Sequence, residues 1–350
     1  MIRIRRGIAR DVQQRRPGLL DVAVEMDGGQ TQPAVAYPDL CGPIAPGDRL
    51  VLNTTAVAMG LGTGGMHFVI AVEGGSDTEA GDATHAMKLR YTPLQVAVGA
   101  FEESGAALPE DLDGMPVVAA GLHSAIAPVA IGANARRPGI RVALVMTDAA
   151  ALPIAFSDTI PGLRDAGMIA TTVTCGQAFG GDLEAVNKFS GMLAGRAAGA
   201  DLLIVAMGPG NLGTGSRYGF AAMEVAEIVN ATAVLGGTPI AVPRVGFGDA
   251  RDRHRLVSHH STTALGEATF AAALIAMPLL PAERTGPVRE ALAPLAKRHR
   301  IVEVDLGAAE HALRDAPVPL RTMGRSFGDE PDYFRIAAAA GVLAADRAGP

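Results

Sequence analysis

Two patterns divide the chain. In the first 75 residues strand-length runs stand at 19–26, 32–37, 48–53 and 66–72, parted by Gly, Pro and Asp. Runs of this length read as short strands, and the breaks carry turn chemistry. Runs at this spacing predict a small N-terminal β domain over 1–75, a barrel of about five strands. Residues 74–82 then offer no apolar side chain larger than alanine, so 76–84 read as a linker or mobile loop.

From residue 85 to 350 the pattern changes. Apolar runs at 117–120, 141–146, 168–173, 201–207, 239–242 and 300–304 alternate with segments of helical length. Tyr218, Ala221, Ala222, Val225, Ile228 and Val229 keep the spacing of one helical face. Leu183, Val186, Phe189 and Leu193 predict a second helix, with Asp182 as its N-cap. Leu265, Ala268, Ala272 and Ile275 predict a third, and 332–345 a closing helix. Strands alternating with helices imply an α/β fold with a mostly parallel, doubly wound (Rossmann-like) sheet covered on both faces.

Composition narrows the class. The 350 residues are 49% apolar but only 4% aromatic, with 43 Gly and no Trp, so alanine and glycine supply much of the packing bulk. A formal charge of −6 argues against a general nucleic-acid binder, which needs a surplus of Lys and Arg on some face. Cys41 and Cys175 are the only cysteines, pointing to a reducing compartment and not to a disulfide framework. No apolar h-region follows the basic start, and the longest apolar stretch, 270–280, is too short for a bilayer and carries Pro278. The expectation is a cytoplasmic protein without a membrane partner.

In an open parallel sheet, ligands bind beyond the carboxyl ends of the strands, where loops and helix N-termini converge. His123, Thr147, Cys175, Gly208, Arg244 and Asp305 end or follow the predicted strands, and are expected along one edge. The run from Gly208 contains G-x-G-x-x-G between a strand and a helix. Gly208, Gly210, Asn211, Gly213, Thr214, Gly215 and Ser216 are therefore candidate ligand-binding residues, with backbone N–H groups facing an anion. Pro209 lacks an N–H, and Arg244 stands where a ribose-binding Asp or Glu belongs. A nicotinamide cofactor is thus a weaker reading than another phosphate or carboxylate anion, a tight structural turn remains the alternative, and no cofactor is assigned.

The connection from Arg244 to His260 carries Arg244, Arg251, Arg253 and Arg255 against Asp249 and Asp252, together with His254, His259 and His260. Four guanidinium groups would repel a cation, and successive residues His259 and His260 diverge by about 100° on a helix, so no metal site is expected. An anion clamp or lid gripping through Arg244 fits better; the alternative is a solvated surface loop. Cys175, just before the expected helix, is a candidate thiolate nucleophile or a buried inert thiol. His123 and His259 are the acid–base candidates, although no Gly-x-Ser-x-Gly elbow surrounds Ser124. His67 and His85 read as satisfied or interface histidines.

Gly64-Gly-Met-His-Phe, Met87-Lys-Leu-Arg-Tyr-Thr-Pro93, Thr174-Cys-Gly-Gln-Ala-Phe-Gly-Gly-Asp182, Met207-Gly-Pro-Gly-Asn211 and Ser258-His-His-Ser-Thr-Thr263 together resemble an uncharacterised bacterial family, a domain of unknown function. The resemblance spans nearly the whole chain and implies no activity or catalytic residue. The residues themselves point to an enzyme of small-molecule metabolism acting on an anionic, phosphorylated or nucleotide-like substrate. The alternative is a non-catalytic metabolite-sensing or protein-interaction module. The partner is a small anionic ligand, with a homo-oligomer left open.

Overall fold

The computed structural model describes residues 1–61, 65–77, 86–150 and 152–349. The chain divides into two compact units, Met1–Val98 and Gly99–Pro350. Most of the expected linker, 78–84, and His85 lie outside the described residues. The first unit continues past residue 85 through a two-residue ladder, Met87–Lys88 against Val96–Ala97.

That unit contains a closed barrel of β1 (Ile4–Arg16), β2 (Leu19–Met26), β3 (Thr31–Ala36), β4 (Arg49–Asn53) and β5 (His67–Val72), ordered β1-β2-β3-β5-β4. Ala9, Val22, Val24, Ala34, Ala36, Leu50, Leu52 and Val69 fill it, the inward half of alternating strands. β1 shows no clear alternation in the sequence, because a register shift between Ala9 and Asp11 breaks its period. His67 Nε2 meets Gln32 Oε1 at 2.5 Å, while its Nδ1 is buried with no hydrogen-bond partner among the described residues.

The second unit is built on eight parallel strands: β6 (Pro116–Ala120), β7 (Val142–Thr147), β8 (Thr171–Cys175), β9 (Leu183–Ala185), β10 (Leu202–Met207), β11 (Thr238–Val242), β12 (Leu274–Pro278) and β13 (Arg300–Val304). Their order is β9-β8-β7-β10-β6-β11-β12-β13. Val118, Leu144, Ile204 and Ile240 face one packed layer, and Val117, Val145, Val205 and Ala241 the other. Burial on both faces is why these strands read as continuous apolar runs. The helices that matter below are α1 (Ile126–Arg136), α2 (Lys188–Ala197), α3 (Glu224–Val234), α4 (His259–Thr263), α5 (Ala282–Leu292) and α6 (Pro331–Arg347). None among the described residues is long and apolar enough to cross a membrane.

Two expected helices are corrected. Residues 183–185 form the edge strand β9, and α2 starts only after Asn187, whose side chain accepts the N–H groups of Phe189 and Ser190 at 2.9 and 3.2 Å. Asp182 is not its cap; its carboxylate takes the Thr172 N–H at 2.9 Å and pairs with Arg164. Ile275 lies in the buried strand β12 instead of on a helix with Leu265. Periodicity alone cannot separate a short buried strand from a piece of helix.

The strand order creates one special place. The chain runs from β6 outward to β7, β8 and β9, returns to β10, and then passes over β6 to β11. β6 and β10 are neighbours whose outgoing connections run opposite ways, so α1 packs on one face and α3 on the other. Their loops part above the C-terminal edge and leave a crevice between them.

Candidate functional site

Across the C-terminal edge, in spatial order, stand Cys175 ending β8, Thr147 ending β7, Gly208 after β10, His123 after β6, Arg244 after β11 and Asp305 after β13. The crossover crevice falls between Gly208 and His123. Beside it a narrow cleft has Leu122, Val242, Arg244, His260, Ser261 and Tyr333 in its wall. Asp305 stands at the far edge, where its carboxylate accepts the Gly307 N–H at 3.0 Å.

The turn after β10 does not lead straight into a helix. Thr214 N–H donates to the Gly219 carbonyl and Ala221 N–H to the Leu212 carbonyl, both at 2.8 Å, and Gly213 pairs with Phe220. The run closes on itself as a small hairpin, and α3 begins only at Glu224. The strand–turn–helix setting required by a dinucleotide fingerprint is therefore missing. Thr214 and Ser216 spend their hydroxyls on each other at 2.8 Å, while Asn211 keeps a buried Oδ1 with no hydrogen-bond partner among the described residues. Gly208 is buried; Gly210, Gly213 and Gly215 are exposed.

The 244–260 connection packs on this hairpin. Phe220 stacks on His260 with ring centroids 3.9 Å apart. A Cβ on Gly213 would lie 3.3 Å from His260 Cε1, and one on Gly215 3.9 Å from Arg253 Nη1. The two segments meet, and the guanidinium at the turn belongs to Arg253. Arg244 stands in the cleft wall with its side chain 13% exposed and donates to Asp249 Oδ2 at 2.8 Å. Arg251 and Arg244 hold the Asp249 carboxyl far below the usual range, against the opposing effect of burial. Glu330 accepts the N–H groups of Phe247 and Gly248 at 2.6 and 3.0 Å and pairs with Arg325. Arg253, by contrast, is exposed and has no carboxylate partner among the described residues; its Nε lies 3.4 Å from His254 Nε2.

His259 and His260 do not diverge as expected. One ring nitrogen from each of His254, His259 and His260 lies within 4.8 Å of the other two. The ring centroids are 4.9 Å (His254–His259), 4.8 Å (His254–His260) and 4.3 Å (His259–His260) apart. Helical geometry fixes only the direction of each Cβ; both residues open the short α4, and the preceding turn at Asp252–His254 brings a third imidazole in front of them. Ser258 Oγ sits 2.8 Å from His254 Nδ1 and also accepts the His260 N–H at 3.3 Å. His259 Nε2 is buried with no hydrogen-bond partner among the described residues. Burial, aided by neighbouring positive charge, lowers His254 to about 4, His260 to about 3, and His259 in the same direction.

His123 is held apart from this cluster. Its Nδ1 lies 3.1 Å from the Met207 carbonyl oxygen, so that nitrogen carries the hydrogen and Nε2 accepts the Ser157 hydroxyl at 2.7 Å. Burial lowers its pKa to about 4. Cys175 is corrected to a core residue: it is 1% exposed, packs under α2 at Gly191, and places Sγ 3.6 Å from the Met146 carbonyl. The loop beyond it is shaped around Asp148. Gly176 has φ +66°, a Cβ there would fall 2.1 Å from the Asp148 carboxylate, and Gln177 N–H donates to that carboxylate at 2.9 Å.

The model of a family described as protein of unknown function, DUF3866, matches residues 33–341. The chain belongs to this family. No curated protein and no solved structure matches it.

Sequence reasoning misses several groups of this DUF3866 chain. Glu224, first in α3, is buried, accepts Thr147 Oγ1 at 2.7 Å and lies 3.3 Å from Lys188; burial pushes its carboxyl up, against Thr147 and Lys188. Tyr333 reaches the cleft from α6 and hydrogen-bonds Ser124 at 2.7 Å. Only Phe220 leaves a trace in the sequence, as an aromatic closing a glycine-rich run that has to pack on something. The edge of the DUF3866 sheet thus gathers three imidazoles with lowered pKa values, a guanidinium without a carboxylate partner among the described residues and a glycine hairpin.

Proposed function

We propose that the chain is an enzyme of small-molecule metabolism that binds a phosphate- or carboxylate-bearing substrate at the C-terminal edge of its parallel sheet, between the 208–221 hairpin and the 252–260 segment. The position of Arg253 carries the reading. A permanently charged fork without a carboxylate partner among the described residues stands beside a glycine turn, in a chain of net charge −6; such a group grips an anion through charge-assisted, bidentate bonds. Two further facts support a ligand there. Asn211 Oδ1 and His259 Nε2, in adjoining segments, are buried without hydrogen-bond partners among the described residues, and buried polar groups are ordinarily bonded. The His259 and His260 imidazoles, kept neutral by burial and nearby positive charge, can accept a hydrogen bond or coordinate a ligand there.

The test is a thermal-shift screen of nucleotides, sugar phosphates and small carboxylates, followed by Arg253→Ala. The hit is expected to bind that variant about 1.5–3 kcal/mol more weakly, the loss of a charged hydrogen bond, with the melting temperature of the free protein unchanged. A hit bound equally well by parent and Arg253→Ala removes the site. Binding without turnover converts the enzyme reading into a metabolite sensor.

A further inference from the structure

We infer that His254, His259 and His260 form a binding site for a divalent transition metal of the zinc class. The site stands on its own geometry; only the use of its open position rests on the anion reading above. The ligand set is three imidazoles with no carboxylate among them, which suits zinc, copper or nickel and not magnesium or calcium.

Two of the rings are positioned by something other than their fellows. His254 Nδ1 is engaged by Ser258 Oγ at 2.8 Å, the outer-shell arrangement that orients metal-bound histidines, and a metal on Nε2 would displace the Arg253 Nε–H that this nitrogen accepts at 3.4 Å. His260 is clamped against Phe220 and stands in the wall of the cleft. His259 Nε2 is the orphan: a packed nest of rings would leave it unbonded, whereas a metal completes it. Zinc holds nitrogens at about 2.0–2.1 Å, hence roughly 3.4 Å from one another in a tetrahedron. From the observed spread of up to 4.8 Å the nitrogens would have to draw together by roughly 1.4 Å on binding the metal.

The surrounding arginines are less of an obstacle than their number implies. Asp249 and Glu330 offset two of the three guanidinium groups of Arg244, Arg251 and Arg325. Arg253 is the one without a carboxylate partner among the described residues, and it fits the scheme: a metal held by three histidines keeps a fourth position open, where an anionic oxygen can meet both the metal and the guanidinium. The metal would there polarise the bound oxygen.

The experiment uses the full chain without an affinity tag, stripped with a chelator and titrated with zinc chloride by calorimetry in phosphate-free buffer. Cobalt(II) serves as a second probe through its visible absorption. One equivalent of zinc per chain is expected. His259→Gln and His260→Gln should each weaken it by more than about 100-fold and abolish the tetrahedral cobalt spectrum, while Ser258→Ala weakens it roughly 10- to 100-fold. His311→Ala, an exposed histidine on another helix, should change nothing. Because His254 is buried and its alanine variant can unfold, the two glutamine variants decide, once circular dichroism shows them folded. No stoichiometric uptake by the parent, or uptake by His259→Gln equal to the parent's, overturns the site. Inorganic phosphate titrated with and without zinc separates the two proposals: phosphate binding without zinc uptake leaves the anion reading standing alone, and zinc uptake without phosphate binding leaves the metal site alone.

Discussion

His123 should make the α/β unit acid-labile in a defined window. Its folded pKa, about 4, lies below the roughly 6.5 of an exposed histidine. Between those values the unfolded chain holds a proton at position 123 that the native chain does not. Stability is therefore complete above about 6.5, falls as the pH drops toward about 4, and levels off below it. At about 1.4 kcal/mol for each pH unit the window amounts to about 3 kcal/mol. The structure explains the resistance to protonation. Nδ1–H already faces the Met207 carbonyl, and a proton on Nε2 would require Ser157 Oγ to accept a third hydrogen bond beside those from Thr159 and Ile160 at 3.3 and 3.2 Å. The perturbation is His123→Asn, whose amide can keep donating to Met207 and does not titrate. Urea unfolding followed by far-UV circular dichroism, the chain having no Trp, should show parent and variant converging by about 3 kcal/mol between neutral pH and pH 4. The acid sensitivity of His254 and His260 is common to both proteins and cancels. Parallel stability curves for parent and variant would refute the assignment.

One glycine tests the packing. A Cβ on Gly132 in α1 would lie 2.1 Å from the Ala338 carbonyl of α6, so Gly132→Ala should cost about 3 kcal/mol or more in chemical denaturation. Neither thiol should react readily in the native protein: Cys175 is 1% exposed, and burial raises Cys41 to about 11. A thiol reagent should find both only on unfolding, and rapid native labelling at Cys175 would restore it as a nucleophile.

What the sequence determined by itself is whatever a local pattern carries. Strand-length runs such as 19–26 and 201–207 needed no partner to be read, because each carries its length and its bounding turn residues within its own stretch of chain. Parallelism then followed from the helical segments between runs, and with it the edge holding His123, Gly208 and Arg244. Tertiary structure alone decided which side chains face each other there. Phe220 meets His260 and Gly215 meets Arg253 across separations that no period spans. The same remoteness hid the ion pair of Arg244 with Asp249, which depends on a loop fastened by Glu330 from the C-terminal segment. It also hid the convergence of three histidines, since adjacent positions on a helix say where each Cβ starts and not where the ring ends. Cys175 looked reactive only while a helix was expected behind it; the edge strand β9 took those residues, as short apolar runs allow, and left the thiol in the core.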